Sequence, residues 1–204
     1  MYDDIIADLR AAYDRAVEER ENKPVLPWKI EERQHFLDLL RQEQKTTLLE
    51  IGAGTGRDSL FFQEQGLQVT CTDLSPAMAQ HCRQKGLNAQ VMDYRHLTFP
   101  TESFDAVYAL NCLLHVPNSD LPAVLHQIQR VLKRGGLMFL GVYGGIAAEG
   151  PAPEDTYEPK RFFSWRTDEQ IQAMVQPYFQ IVSFKAIPLP GEQDEHFQSL
   201  ILRH

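Results

Sequence analysis

Cysteine is scarce: Cys71, Cys82 and Cys112 are the only three in 204 residues, an odd number without a C-x-x-C pair. That argues against a disulfide framework and a cysteine-based zinc site, and it fits a reducing cytoplasm. The seven histidines are scattered, with no H-E-x-x-H or comparable ligand spacing, so no metal is expected. Positive charge is also short, with 20 Lys and Arg against 28 Asp and Glu and a net charge of -8. An acidic surface repels phosphate backbones, so nucleic acid is not expected as a partner. Long apolar runs are missing too. The most apolar stretch, Leu137 to Ala148, is interrupted by three glycines, too short to span a bilayer. The opening Tyr2-Asp3-Asp4 lacks the basic-then-apolar pattern of a secretory leader. No repeat or low-complexity tract occurs. These absences predict a cytoplasmic protein with no membrane partner.

What is present is ordinary for a globular domain, 43% hydrophobic and 24% charged. The length suits one well-buried core and is short for two. We therefore expect a single domain over 1–204, in which helices of 1–45 form a partial lid on a core of 46–204. Ile5, Leu9, Tyr13 and Ala16 share a face at helical spacing, predicting a helix from Asp3 to about Glu21. Lys23-Pro24 and Pro27-Trp28 break it, and a second helix is expected around Ile30 to Gln44.

Strands and helices then alternate. Thr47–Ile51, Val69–Asp73, Ala89–Asp93, Phe104–Leu110 and Leu137–Val142 read as strands. Helices are expected over Arg57–Gln65, from Ser75-Pro76 to Gly86, and over about Asp120–Lys133, where six apolar residues make one stripe. Gly144–Pro159 reads as a polar loop, followed by a short helix near Thr167–Val175 and two strands, Phe179–Ile187 and His196–Leu202. Such alternation implies an α/β fold, doubly wound, with a mostly parallel seven-stranded sheet covered by helices on both faces. The short Pro188–Glu195 connection suits an antiparallel hairpin, hence an antiparallel C-terminal edge strand.

The segment Glu50-Ile51-Gly52-Ala53-Gly54-Thr55-Gly56-Arg57 joins a strand to a helix through a glycine turn. Glycines let the backbone bend sharply and let a ligand approach its N–H groups. A dinucleotide fingerprint would place its third glycine at position 57, which here is Arg. Asp73, 17 residues after Gly56, ends the second strand where a carboxylate can accept two ribose hydroxyls. Asp93 ends the third strand, within reach of an adenine amino group. Acidic residues also end strands as simple caps or turn formers. The strand ends of a parallel sheet converge on one crevice, so these groups can meet on a single nucleoside.

Together these segments resemble the class I, Rossmann-like S-adenosylmethionine (SAM)-dependent methyltransferases. The glycine turn is similar to that family's first motif, and Asp73-Leu74-Ser75-Pro76-Ala77-Met78 to its ribose-binding stretch. Asp93-Tyr94 stands where the family contacts adenine. Phe104-Asp105-Ala106-Val107 to Asn111-Cys112-Leu113-Leu114-His115-Val116-Pro117 resembles the fourth-strand motif, and Val131 to Gly136 the turn before the fifth strand. Ala53 and Arg134 depart from residues common in the family, at positions without chemistry. The resemblance implies SAM as cofactor, S-adenosylhomocysteine as product, and cofactor contacts from Glu50, Gly52, Ala53, Gly54, Gly56, Arg57, Asp73, Leu74, Asp93, Tyr94 and Asn111.

A sulfonium makes its methyl group electrophilic without a metal, so placing the nucleophile in line supplies most of the acceleration. A base is needed only for an alcohol or a protonated amine. His115, following the fourth strand, is the candidate general base; capping or packing the following helix is the alternative. The substrate wall should come from outside the shared core: Tyr13, Trp28, Tyr143 and Trp165, with Phe162 and Phe163 as candidates that equally suit packing. Tyr108 and Cys112 read as packing residues. Glu149, Glu154, Asp155 and Glu158 would suit a cationic acceptor, or merely solvate a loop. The expected acceptor is a small molecule. Two rivals share these features: a non-catalytic SAM-binding protein and an NAD(P)-dependent oxidoreductase.

Overall fold

In the computed structural model, which describes residues 2–191 and 193–204, the chain opens with three helices. These are α1 (Tyr2–Asp14), α2 (Val17–Asn22) and α3 (Pro27–Gln42). The helix expected over Asp3–Glu21 is therefore two. It breaks after Asp14, whose carboxylate is drawn aside to accept bonds from Ser75 Oγ and Ala77 N. Pro27, read as a breaker, is instead the first residue of α3, where its fixed φ suits a helix start.

The alternation follows as β1 (Thr47–Ile51), α4 (Arg57–Glu64), β2 (Gln68–Asp73), α5 (Pro76–Gln84), β3 (Asn88–Val91) and β4 (Phe104–Leu110). A 3₁₀ turn (Leu113–His115), α6 (Leu121–Val131) and β5 (Leu132–Gly144) come next. The chain ends with β6 (Ala148–Pro151), β7 (Phe162–Trp165), α7 (Asp168–Val175), β8 (Gln180–Pro188) and β9 (His196–Arg203).

Seven strands form one sheet in the order β3-β2-β1-β4-β5-β9-β8. β1 to β5 pair in parallel, and β9 pairs antiparallel with both β5 and β8. The antiparallel strand thus stands one place in from the C-terminal edge, which β8 forms. A one-residue alternation along β4 explains why both faces are covered. Val107 and Ala109 join the core under α6 and α7, while Ala106 and Tyr108 join Phe36, Leu37, Leu40 and Phe62 of α3 and α4. Tyr108 stacks on Phe139 with ring centroids 4.8 Å apart, so it is core.

The stretch read as the polar loop Gly144–Pro159 contains β6, paired with β7 as a two-stranded sheet. Its Gly-, Pro- and acid-rich composition hid a strand whose partner lies beyond the loop and is aromatic. Among the described residues, no helix is long and apolar enough to cross a membrane. Nor do three His, Cys, Asp or Glu side chains come together there as a metal site would require.

Candidate active site

The site lies at the C-terminal ends of β1, β2 and β4, on either side of the point where strand order reverses. Leaving β1, the chain turns through Gly52 (φ 66°), Gly54 (φ 55°) and Gly56 (φ 79°). A Cβ at Gly52 would sit 2.3 Å from Cys112 Cβ and 3.1 Å from the Tyr94 hydroxyl. The residue must be glycine both for its left-handed backbone and for the space. Gly56 instead packs on Leu87 and Cys82, so its role is to start α4 closely against the next layer.

Asp73 ends β2 with its carboxylate held by two backbone donors, Gly54 N at 2.7 Å and Ser75 N at 2.8 Å. Burial pushes its pKa up to about 6, with these bonds opposing the rise. Across from it, β4 delivers Asn111 in a left-handed conformation (φ 54°). Asn111 Oδ1 is buried without a hydrogen-bond partner.

Two adjoining cavities open here. The inner one, about 40 Å³, is walled by Gly52, Gly54, Asp73, Leu74, Tyr94 and Asn111 and roofed by Leu9, Tyr13 and Arg20. The outer one, about 470 Å³, shares Gly52, Gly54 and Asn111 and extends past Ala53, Arg57, His115, Tyr143 and Phe163. The second volume is in the range of small-molecule sites. The N-terminal helices are fastened over the inner cavity. Arg10 Nε donates to Leu74 O at 3.2 Å, Asp14 caps the start of α5, and Lys85 Nζ bonds Glu21 of α2 at 2.7 Å. These contacts involve α1 and α2, whereas α3, also within 1–45, packs into the sheet core through Phe36, Leu37 and Leu40.

His115 borders both cavities but is fully engaged. Its Nδ1 donates to Phe162 O at 2.7 Å, so Nε2 is bare and accepts from the Tyr13 hydroxyl at 2.7 Å. Arg161 Nη1 in turn donates to that hydroxyl at 3.2 Å. Burial, with Arg161 and Arg20 nearby, pushes the His115 pKa down to about 3. The ring is neutral at physiological pH and a weak proton acceptor.

Of the residues expected at the cofactor, Gly52, Ala53, Gly54, Arg57, Asp73, Leu74, Tyr94 and Asn111 line one cavity or both. Three do not. Glu50 is buried beneath the turn, bonded by Ser59 Oγ, and desolvation lifts its pKa well above the usual carboxylate range. Gly56 faces α5. Asp93 turns to Arg95, accepting from its backbone N at 2.9 Å and its Nε at 3.1 Å. Among the substrate-wall candidates, Tyr13 and Tyr143 line the outer cavity and so does Phe163, whereas Trp28 and Trp165 line neither. Trp28 packs on Phe197 and Trp165 stacks on Phe163. No motif or spacing pointed to Arg20, Lys29 and Arg161, which line the outer cavity. They come from the lid and from the segment before β7, and only folding brings them together.

Residues 48–136 match the family described as "Methyltransferase domain". Malonyl-[acyl-carrier protein] O-methyltransferase of Xylella fastidiosa is 28% identical over 204 residues, covering 95% of this chain and 63% of that protein. Ubiquinone biosynthesis O-methyltransferase of Xanthomonas oryzae pv. oryzae is 38% identical over 100 residues, 46% of this chain and 41% of that protein. The chain thus spans less than two thirds of these relatives' length. Among solved structures, Burkholderia thailandensis 1,6-didemethyltoxoflavin-N1-methyltransferase, with bound 1,6-didemethyltoxoflavin and S-adenosylhomocysteine, superposes with a TM-score of 0.73. That match, at 21% identity, covers 99% of this chain and 88% of the other. An S-adenosylmethionine-dependent methyltransferase from Mesorhizobium loti gives 0.66 at 19% identity, covering 78% and 90%. The strand order and the glycine turn facing a buried strand-end aspartate agree with these matches, and the fold is that of the class I S-adenosylmethionine-dependent methyltransferases.

Proposed function

We propose that this chain binds S-adenosylmethionine beneath the N-terminal lid and transfers its methyl group, by in-line displacement, to a small molecule seated in the outer cavity. The observation that carries this reading is the pair of acceptors facing each other across the glycine turn. Asp73 is a buried carboxylate with capacity left for two hydroxyl donors, and Asn111 Oδ1 is a buried acceptor with no partner. Buried polar atoms without partners are rare and costly, so an unmatched one on a cavity wall marks where a ligand donor goes. A ribose diol suits Asp73, an ammonium suits Asn111 Oδ1, and the open space at Gly52 lets the ligand chain lie on the backbone. The residues fit the cofactor.

When bound, the cofactor supplies a sulfonium-activated methyl group. The protein's part is placement and exclusion of water. Leu9, Tyr13 and Arg20 roof the cofactor side. The inner cavity is far smaller than the roughly 300 Å³ of the smallest small-molecule sites, so α1 must lift for a ligand to enter and can reclose on it. His115 acts as a positioning residue: its Nε2 fixes the Tyr13 hydroxyl at the junction of the two cavities, with Arg161 holding the same oxygen from the other side. In this reading the base expected at His115 is not needed, which requires an acceptor already ionised or carrying a free lone pair.

Calorimetric titration with S-adenosylhomocysteine and, separately, NADH tests the proposal. One-site binding of the homocysteine compound alone is expected. Binding of NADH alone would make the protein an oxidoreductase, and binding of neither would remove the ligand site.

A further inference from the structure

Among the described residues, two cations on the wall of the outer cavity have no carboxylate within ion-pair distance. Five basic side chains stand there, Arg20, Lys23, Lys29, Arg57 and Arg161, against a single acid, Asp58. Arg161 is held by Asp155 at 2.6 Å, and Arg57 stands 3.8 Å from Glu21. Lys23 is exposed, and Asp58 is taken by Arg33 at 2.7 Å. Neither Arg20 nor Lys29 has an ion-pair partner among the described residues. Arg20 lies against the Tyr13 ring at 5.8 Å. Lys29 is half-buried between the rings of Trp28 at 5.2 Å and Tyr143 at 5.3 Å.

Ring faces attract an ammonium, but more weakly than the hydration they displace. The desolvation shows in Lys29, whose pKa burial lowers to about 8. An anion arriving with a ligand would supply the partner that this ammonium lacks. The cofactor brings one carboxylate, and Arg20, which borders both cavities beside Gly52 and Gly54, is placed to take it. Lys29 is then left over.

We propose that the methyl acceptor is an anion, with its negative group paired to Lys29 and its apolar body against Tyr143 and Phe163. This rests on the methyltransferase reading and names its acceptor class. It sets aside the cationic acceptor that the acidic 144–159 segment would also have suited. Glu149 is bonded to Asn118 and Ser164, Asp155 to Arg161, and no acid of that segment lines either cavity. A carboxylate or phenolate acceptor would also need no base, in keeping with the weakly basic His115.

The test measures binding to the protein saturated with S-adenosylhomocysteine, by calorimetry. The probes are benzoate, phenylacetate and octanoate, each against its uncharged amide, and benzylamine. At least one acid should bind about tenfold or more tightly than its amide, as a charge-assisted contact implies. Lys29→Met should erase the preference while leaving S-adenosylhomocysteine affinity unchanged, and Lys29→Arg should keep most of it. No acid preferred over its amide, or benzylamine preferred over all, would overturn the proposal; so would a preference that survives Lys29→Met. Failure of S-adenosylhomocysteine itself to bind the unaltered protein would instead sink the underlying methyltransferase reading.

Discussion

Asp73→Asn should make the ligand-free protein more stable and the ligand weaker at once. In the folded chain the Asp73 carboxyl holds its proton up to about pH 6, against a usual 3.8. At 1.36 kcal/mol per pH unit, that rise makes the ionised form about 3 kcal/mol costlier in the folded state at neutral pH. The sign follows from the direction. A raised carboxyl pKa gives a contribution fully present below pH 4 and lost as pH rises through about 6. Asparagine keeps the size but cannot ionise, so its stability relative to aspartate should improve by up to about 3 kcal/mol between pH 4 and pH 7. Part of the gain is offset because the amide can accept from only one of the Gly54 and Ser75 N–H groups with its oxygen. Loss of a charge-assisted bond to a ribose hydroxyl costs about 1.5–3 kcal/mol, or roughly 10- to 150-fold in S-adenosylhomocysteine affinity. Urea unfolding at a series of pH values and calorimetric titration read the two effects separately. A stability difference that stays flat with pH would refute the burial argument. Unchanged affinity would refute the ribose assignment.

Other substitutions probe the glycine turn and the His115–Tyr13 hydrogen bond. Gly52→Ala should abolish S-adenosylhomocysteine binding and cost about 1–3 kcal/mol of stability, because the new methyl meets Cys112 Cβ in a left-handed backbone; a circular-dichroism melt with a parallel titration checks both, and normal affinity would contradict it. His115→Ala should slow turnover about tenfold or more while sparing S-adenosylhomocysteine affinity, and Tyr13→Phe should reproduce the kinetic loss because the two share one hydrogen bond. Steady-state kinetics on both variants decides this; full activity would leave His115 as packing.

Much of this protein could be read from local pattern. The period-two alternation of β4 and the stripe of α6 each need only a few neighbouring residues, so the layers, the seven strands and the antiparallel hairpin were foreseeable. Gly52, Gly54 and Asp73 were equally legible, since a strand end, a glycine turn and a second strand end are tied together by the parallel sheet itself. Partner choice was not. Asp93 reads as a strand end within reach of adenine, but β3 ends at Val91 and Arg95, two residues on, hydrogen-bonds its carboxylate. His115 has a ring that ordinarily titrates near neutrality; only burial between Tyr13, Phe162 and two arginines keeps it neutral. The acids of 144–159 suited either a cationic acceptor or a merely solvated loop, and the fold gives Asp155 to Arg161 and Glu149 to Asn118. Arg20 and Lys29, inconspicuous in a polar N-terminal stretch, became the unmatched cations of the cavity wall. Backbone pattern is set by neighbours in sequence and so is written there. The charge and protonation of a site depend on which distant side chains finally share a low-dielectric space, and the tertiary structure alone decides that.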